Sequence, residues 1–146
     1  MPSAEPPSAF PPLVGGCACD AVGYVVTVPP LDAGYCHCRL CQRSSGAPVL
    51  AWLTVVATGF AYTRGAVRVF QSSAHGQREF CAACGTQLVF RRGAAARSVD
   101  VTLASLDEPA RVAPEYYIWR QSRLPWFETA DTLPRHADAG PDVHDG

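Results

Sequence analysis

The chain has no lysine, so all twelve of its basic side chains are arginines. These arginines are scattered along the sequence, and the formal net charge is −1. Proteins that bind nucleic acid need basic residues clustered on one face. The composition therefore argues against a nucleic-acid partner.

The sequence also lacks long apolar runs. None approaches the roughly 18 residues of a membrane span, and residues 1–16 lack the basic and apolar segments of a signal peptide. We therefore expect no membrane partner and a cytoplasmic location. In that reducing compartment, seven cysteines at short spacings favour metal binding or catalysis over disulfides.

The length of 146 residues predicts a single domain, and 48% hydrophobic residues suffice for a core. Residues 1–12 contain five prolines among small polar residues and are predicted to be a flexible arm. The domain is expected to span residues 13–135, and residues 136–146 are expected to be a disordered tail.

Short apolar or alternating runs punctuated by Gly and Pro indicate strands joined by turns. No helical periodicity extends beyond a turn or two, apart from a possible short turn near Pro109. The predicted class is mainly β. The predicted strands are Val22–Val28, Val49–Val56, Val67–Phe70, Gln87–Arg91, Ser98–Leu103 and Tyr116–Trp119.

The cysteines occur in three groups. Cys81 and Cys84 are separated by two residues and followed by Gly85, a spacing and a permissive turn typical of a zinc knuckle. The knuckle needs two more ligands, and the isolated pair Cys17 and Cys19 is a natural supplier. A closed four-sulfur zinc site of this kind is structural.

This pairing leaves Cys36, Cys38 and Cys41. Three protein ligands with one exchangeable position are typical of catalytic zinc. Spacing leaves other arrangements open: all three joined by one cysteine of the knuckle, a redox dithiol, an iron–sulfur cluster, or a second closed zinc site completed by His37 or His75.

The cysteine groups and their flanks resemble the glutathione-dependent formaldehyde-activating enzyme family, whose domain also occurs in centromere protein V. The similar stretches run from about Gly15 to Arg135 and include "GGCACDAVGY", "YCHCRLCQRSSGAP", "EFCAACGTQLVFR" and "YYIWRQSRLPWFETADTLPR". The resemblance implies a β-tent zinc fold of short antiparallel strands with two zinc ions.

In that family pattern, a structural zinc is held by Cys17, Cys19, Cys81 and Cys84, and a substrate-facing zinc by Cys36, Cys38 and Cys41. The chain departs from the pattern at two positions. Asp20 replaces a usual glycine, from which we expect a slightly different first turn, and Tyr117 replaces a histidine found in many relatives.

The resemblance implies a carbon–sulfur lyase that handles adducts of a small thiol, such as glutathione, with a small aldehyde, such as formaldehyde. Glutathione carries two carboxylates, which arginine forks bind well. Arg39 and Arg43 flank Cys41 and are the first candidates for substrate binding. Arg120 and Arg123 are secondary candidates, and Trp119, Trp126 and Phe127 are expected either to line a pocket or to pack in the core.

A second hypothesis is a non-catalytic zinc module that binds a protein or a nucleic acid. A fully ligated second zinc site would favour this module. An open position in the second site would favour the lyase.

Overall fold

A computed structural model describes residues 10–93 and 95–140. These residues form ten short strands and one seven-residue α-helix, α1 (Arg39–Ser45), in one domain. This confirms the predicted mainly β class. The predictions for residues 1–9 and 141–146 lie outside the described chain. No helix in the described ranges has the length and apolar character to cross a bilayer.

The strands form two sheets. The smaller sheet has the order β1-β2-β5 and contains β1 (Leu13–Gly16), β2 (Gly23–Val26) and β5 (Phe60–Arg64). The larger has the order β10-β3-β4-β9-β8-β7-β6. Its strands are β3 (Asp32–Cys36), β4 (Leu50–Val56), β6 (Val67–Gln71), β7 (Gln77–Cys81), β8 (Gln87–Arg91), β9 (Ser98–Thr102) and β10 (Tyr117–Ile118). All neighbours pair antiparallel except β10 with β3.

Six strands coincide with predicted runs, whereas β1, β3, β5 and β7 were not predicted. The strand β7 has the sequence QREFC, and both of its central charged residues, Arg78 and Glu79, are buried. Glu79 is paired with Arg91 and accepts a hydrogen bond from Tyr62. Tertiary partners thus permit a strand whose composition carries no strand signal.

The main core lies between the two sheets. Leu53 and Val55 of β4 and Val99 and Val101 of β9 are completely or almost completely buried in it, together with Tyr24 of the small sheet. Because side chains alternate along a strand, the neighbours of these residues project to the opposite face of the large sheet. Trp52 lies on that second face, in a smaller cluster with Cys36 and Cys41.

The ends of the described chain contact the domain. Phe10 packs against the main core, and Arg111 donates hydrogen bonds to the carbonyls of Pro11 and Pro12 at 2.7 and 3.0 Å. At the other end, backbone hydrogen bonds join residues 136–138 to residues 117–121. These contacts join β10 and the residues that follow it to the end of the described chain.

Candidate metal centres and pocket

Four cysteines from two distant turns come together in one cluster, the four-Cys group (Cys17, Cys19, Cys81 and Cys84). Cys17 and Cys19 follow β1, while Cys81 ends β7 and Cys84 lies in the next turn. The Sγ atoms of all four lie within 4.8 Å of one another, with Cys19 3.6 Å from Cys17 and 3.7 Å from Cys81. A tetrahedral zinc ion with Zn–S bonds of about 2.3 Å keeps its sulfurs about 3.8 Å apart. The spacing therefore fits one tetrahedral metal ion whose four coordination positions are all filled by cysteine sulfurs.

Backbone geometry supports this four-Cys group. Gly85 has φ +81°, and the Cys84 N–H points to the Cys81 sulfur at 3.4 Å. Hydrogen bonds from the Thr86 side chain and backbone lower the pKa of Cys84 to about 5. Asp20 has φ 66°, in the left-handed region that glycine adopts most easily. The aspartate thus takes up a conformation that glycine adopts easily.

The other three cysteines, the three-Cys group (Cys36, Cys38 and Cys41), lie where β3 is followed by α1. Cys36 ends the strand, and Cys38 caps the helix by accepting a hydrogen bond from the Cys41 N–H at 3.2 Å. The Cys36 and Cys41 sulfurs are 3.5 Å apart, and all three sulfurs lie within 4.8 Å. Within the described chain this group contains three ligands and no histidine. A tetrahedral metal here would keep one position for a ligand from outside the group.

His37 points away from the three sulfurs. Its ring stacks on Tyr117 at 5.7 Å and meets the edge of Phe127 at 5.9 Å. It is fully buried, and burial together with the charges of Arg120 and Arg123 lowers its pKa. His37 therefore belongs to the packing behind the three-Cys group. His75 is exposed and does not approach the sulfurs either.

The three thiols titrate unequally. Hydrogen bonds with the Cys36 and Cys41 sulfurs lower the pKa of Cys38 to about 2, and the nearby Arg78 guanidinium acts in the same direction. The pKa of Cys36 is raised because it shares hydrogen bonds with Cys38 and Cys41 and is buried. The group therefore gains a negative charge readily at Cys38, the most exposed of the three.

The buried side chain of Gln42 hydrogen-bonds the backbone around the three-Cys group. It is 5% exposed, and its Nε2 lies 2.9 Å from the carbonyl oxygen of His37, 3.1 Å from that of Ser122 and 3.3 Å from that of Pro48. Its Oε1 accepts a hydrogen bond from Arg39 at 2.6 Å. One amide on α1 thus contacts the ligand segment, the connection between α1 and β4, and the segment after β10. Nothing in the sequence near Gln42 indicated this role.

The three-Cys group opens into a pocket of about 440 Å³. Trp52, Phe90 and Trp119 form its aromatic wall, and Trp52 meets Phe90 edge-on at 6.3 Å. Trp119 has φ 57°, an unusual conformation for a large residue and one that recurs at functional sites. Trp119 thus takes the pocket-lining alternative. Trp126 is 72% exposed, whereas Phe127 packs on His37.

The predicted substrate arginines lie in different places. Both Arg39, on the first turn of α1, and Arg43 are exposed, but only Arg39 is among the residues that line the pocket. Arg120 hydrogen-bonds the Glu128 carboxylate at 3.1 Å, and Arg123 lies 3.9 Å from it. The sulfurs and Arg39 thus share one cavity.

Tyr117 occupies the position at which many relatives have a histidine, and it does not line the pocket. Its hydroxyl donates to Asp131 at 2.6 Å and contacts Thr129 at 2.6 Å. Its ring stacks on Tyr35 at 4.7 Å. In this chain the side chain at that position is therefore part of the packing behind the three-Cys group.

Sequence reasoning missed Arg78. Its side chain is buried and lines the pocket, and its Nη2 lies 3.8 Å from the Cys41 sulfur. Arg78 is 37 residues beyond Cys41 and directly opposite Phe90 in the sheet. The strand order, in which β8, β9 and β4 lie between β7 and β3, brings it to the cysteines, so no local motif could have indicated it.

The chain is similar to known proteins in sequence and in structure. A model of the family described as glutathione-dependent formaldehyde-activating enzyme matches residues 12–122. A crystal structure of a Rhodobacter sphaeroides protein is similar at 26% identity and a TM-score of 0.54, covering 64% of this chain and 87% of that one. A search of curated proteins finds no match. The matched region contains both cysteine groups, α1 and all ten strands of the described residues.

Proposed function

Because the chain belongs to the glutathione-dependent formaldehyde-activating enzyme family, we propose that it forms and breaks adducts of a small thiol with a small aldehyde. In the forward direction the thiol sulfur bonds to the aldehyde carbon and the carbonyl π bond breaks. The thiol proton ends on the new hydroxyl group, so the reaction needs no oxidant. The reverse reaction is carbon–sulfur lysis.

The observation that carries this proposal is the opening of the three-Cys group into the pocket. Its sulfur spacing and soft donor set fit zinc, with Cys36, Cys38 and Cys41 as ligands. A zinc ion bound there would lower the pKa of an incoming thiol and hold its thiolate. This is the second zinc site, and the four-Cys group would hold the first, structural zinc. The aldehyde carbon would then meet the sulfur inside the pocket.

The pocket residues would bind and orient the rest of the thiol substrate. Trp52, Phe90 and Trp119 offer an apolar wall for the substrate. Arg39 can donate a planar pair of hydrogen bonds to a substrate carboxylate, while Gln42 holds its guanidinium over the pocket. This arrangement suits a thiol of the glutathione type, which carries two carboxylates. We assign carboxylate binding to Arg39 and none to the exposed Arg43.

The test is the rate at which glutathione captures formaldehyde, with the spontaneous rate subtracted. Protein of measured zinc content should exceed the spontaneous rate, and Arg39→Gln should raise KM roughly threefold to tenfold with kcat nearly unchanged, since it removes one charge-assisted contact at an exposed site. Arg43→Gln is the matched control on the same helix and should behave as wild type.

A rate equal to the spontaneous one, from protein that holds two zinc ions, would contradict the lyase proposal. It would instead favour the non-catalytic zinc module. Equal KM changes in both arginine variants would contradict the assignment to Arg39 alone, while leaving the lyase proposal intact.

A further inference from the structure

Arg78 is a buried cation without a carboxylate partner. Its side chain is 6% exposed. Among the described residues, no acidic group lies within ion-pair distance of it. Buried charges are costly unless they are paired, so this guanidinium needs a counter-ion from another source.

The neutral contacts of Arg78 fix its position without compensating its charge. Nη1 donates to Gln87 Oε1 at 2.9 Å and approaches Ser44 Oγ at 3.4 Å. The guanidinium carbon lies 5.1 Å from the centre of the Phe90 ring and 5.9 Å from that of Trp52, within the range of cation–π attraction. Its Nε has no hydrogen-bond partner in the described structure.

The remaining contact is with the three-Cys group. Nη2 lies 3.8 Å from the Cys41 sulfur, and the same pocket contains all three thiols. Three cysteinates around a divalent zinc ion would carry a net charge of −1, and an added substrate thiolate would make it −2. The single positive charge of Arg78 would reduce these totals to zero and −1.

We propose that Arg78 is a positioning residue that supplies the counter-charge of the three-Cys centre, and so sets how firmly that centre retains its metal and an added thiolate. The part that concerns metal retention stands independently of the reaction. The part that concerns the thiolate rests on the proposed function.

The experiment compares Arg78→Met, which removes the charge, with Arg78→Lys, which keeps it. Arg68→Met on the neighbouring strand β6 is the control, because Arg68 is exposed. Zinc is counted by native mass spectrometry and its affinity is measured by competition with a chelator. The four-Cys group serves as an internal reference in every variant. Because partners outside the ligand set typically contribute 10- to 100-fold in metal affinity, we expect Arg78→Met to bind the second zinc about 10- to 100-fold more weakly.

Arg78→Lys should lose clearly less affinity, and Arg68→Met should match wild type. Wild-type affinity in Arg78→Met would overturn the proposal. If Arg78→Met loses both metals through unfolding, Arg78→Lys decides the matter. Retention of the second zinc within about tenfold supports the counter-charge, and a larger loss in a variant that keeps its first zinc overturns it.

A final experiment titrates cobalt-substituted protein with glutathione. Thiol binding is monitored through the visible absorption of cobalt. Under the proposal, Arg78→Met responds at higher thiol concentrations than wild type. An unchanged titration midpoint in that variant would overturn the thiolate part. A wild-type protein whose cobalt spectrum never responds to thiol would count against the proposed function, and the zinc affinities would still test the counter-charge.

Discussion

Replacement of Gln42 by Met should destabilise the fold at the point where three segments meet. Methionine fits a similar volume but cannot donate to the carbonyls of His37, Ser122 and Pro48, which lie 2.9, 3.1 and 3.3 Å from Nε2. An amide nitrogen has only two hydrogens, so at most two of these contacts are full hydrogen bonds. The two shorter ones join α1 to the ligand segment and to the segment after β10.

The magnitude follows from the burial of these groups. Each lost hydrogen bond costs roughly 0.5–1.5 kcal/mol, and a buried acceptor left without a donor costs roughly 1–3 kcal/mol. Arg39 is exposed and can exchange Gln42 Oε1 for water. We therefore expect Gln42→Met to lower the free energy of unfolding by about 2–4 kcal/mol, equivalent to a fall in Tm of about 5–15 °C for a chain of this size.

The assay is urea unfolding followed by tryptophan fluorescence at a buffered free zinc concentration, because bound metal contributes to apparent stability. Gln71→Met is the matched control. Gln71 is exposed on β6, and its Nε2 makes one hydrogen bond, to the Ser73 carbonyl at 2.9 Å. The control should change stability by no more than about 0.5 kcal/mol. An equally small change in Gln42→Met, with an unaltered m-value, would refute the reasoning.

Asp20→Ala should lower the free energy of unfolding by about 1 kcal/mol, because alanine is strained at φ 66°. Asp20→Gly should not lower it, and thermal unfolding of the two variants measures the difference. Tyr117→Phe should reduce the acid sensitivity of stability, because the Tyr117 hydrogen bond is the largest cause that lowers the Asp131 pKa from 3.8 to about 2. Asp131 stabilises the wild type fully above pH 3.8 and loses this effect as the pH falls towards 2, so the variant's unfolding free energy should fall less over that window; an identical fall would contradict the assignment. Cys81→Ser should abolish folding, whereas Cys41→Ser should keep the fold with one zinc fewer, as circular dichroism and metal analysis would show; the opposite pattern would contradict the structural role of the four-Cys group.

Local chemistry was enough to predict the strand class and the grouping of the cysteines. A thiol pair spaced by two residues with a following glycine can be recognised from the sequence, because its geometry depends only on adjacent peptide units. Alternation placed Val99 and Val101 on one face of β9, and both are buried. The short helix α1 has no usual start signal, since the side chain that caps it is the Cys38 sulfur and not that of Ser, Thr, Asp or Asn.

The residues around the three-Cys group depended on tertiary structure. The strand order of the large sheet brings Arg78 of β7 to Cys41, and the segment after β10 brings the Ser122 carbonyl to Gln42. Arg39 and Arg43 were equivalent candidates in the sequence, and only the orientation of α1 puts Arg39 in the pocket wall. The sequence alone therefore determined the class of the fold and the ligand chemistry, because both follow from residue types and short spacings. The tertiary structure decided which charges and amides surround the sulfurs, because those contacts join residues far apart in the chain and depend on strand register.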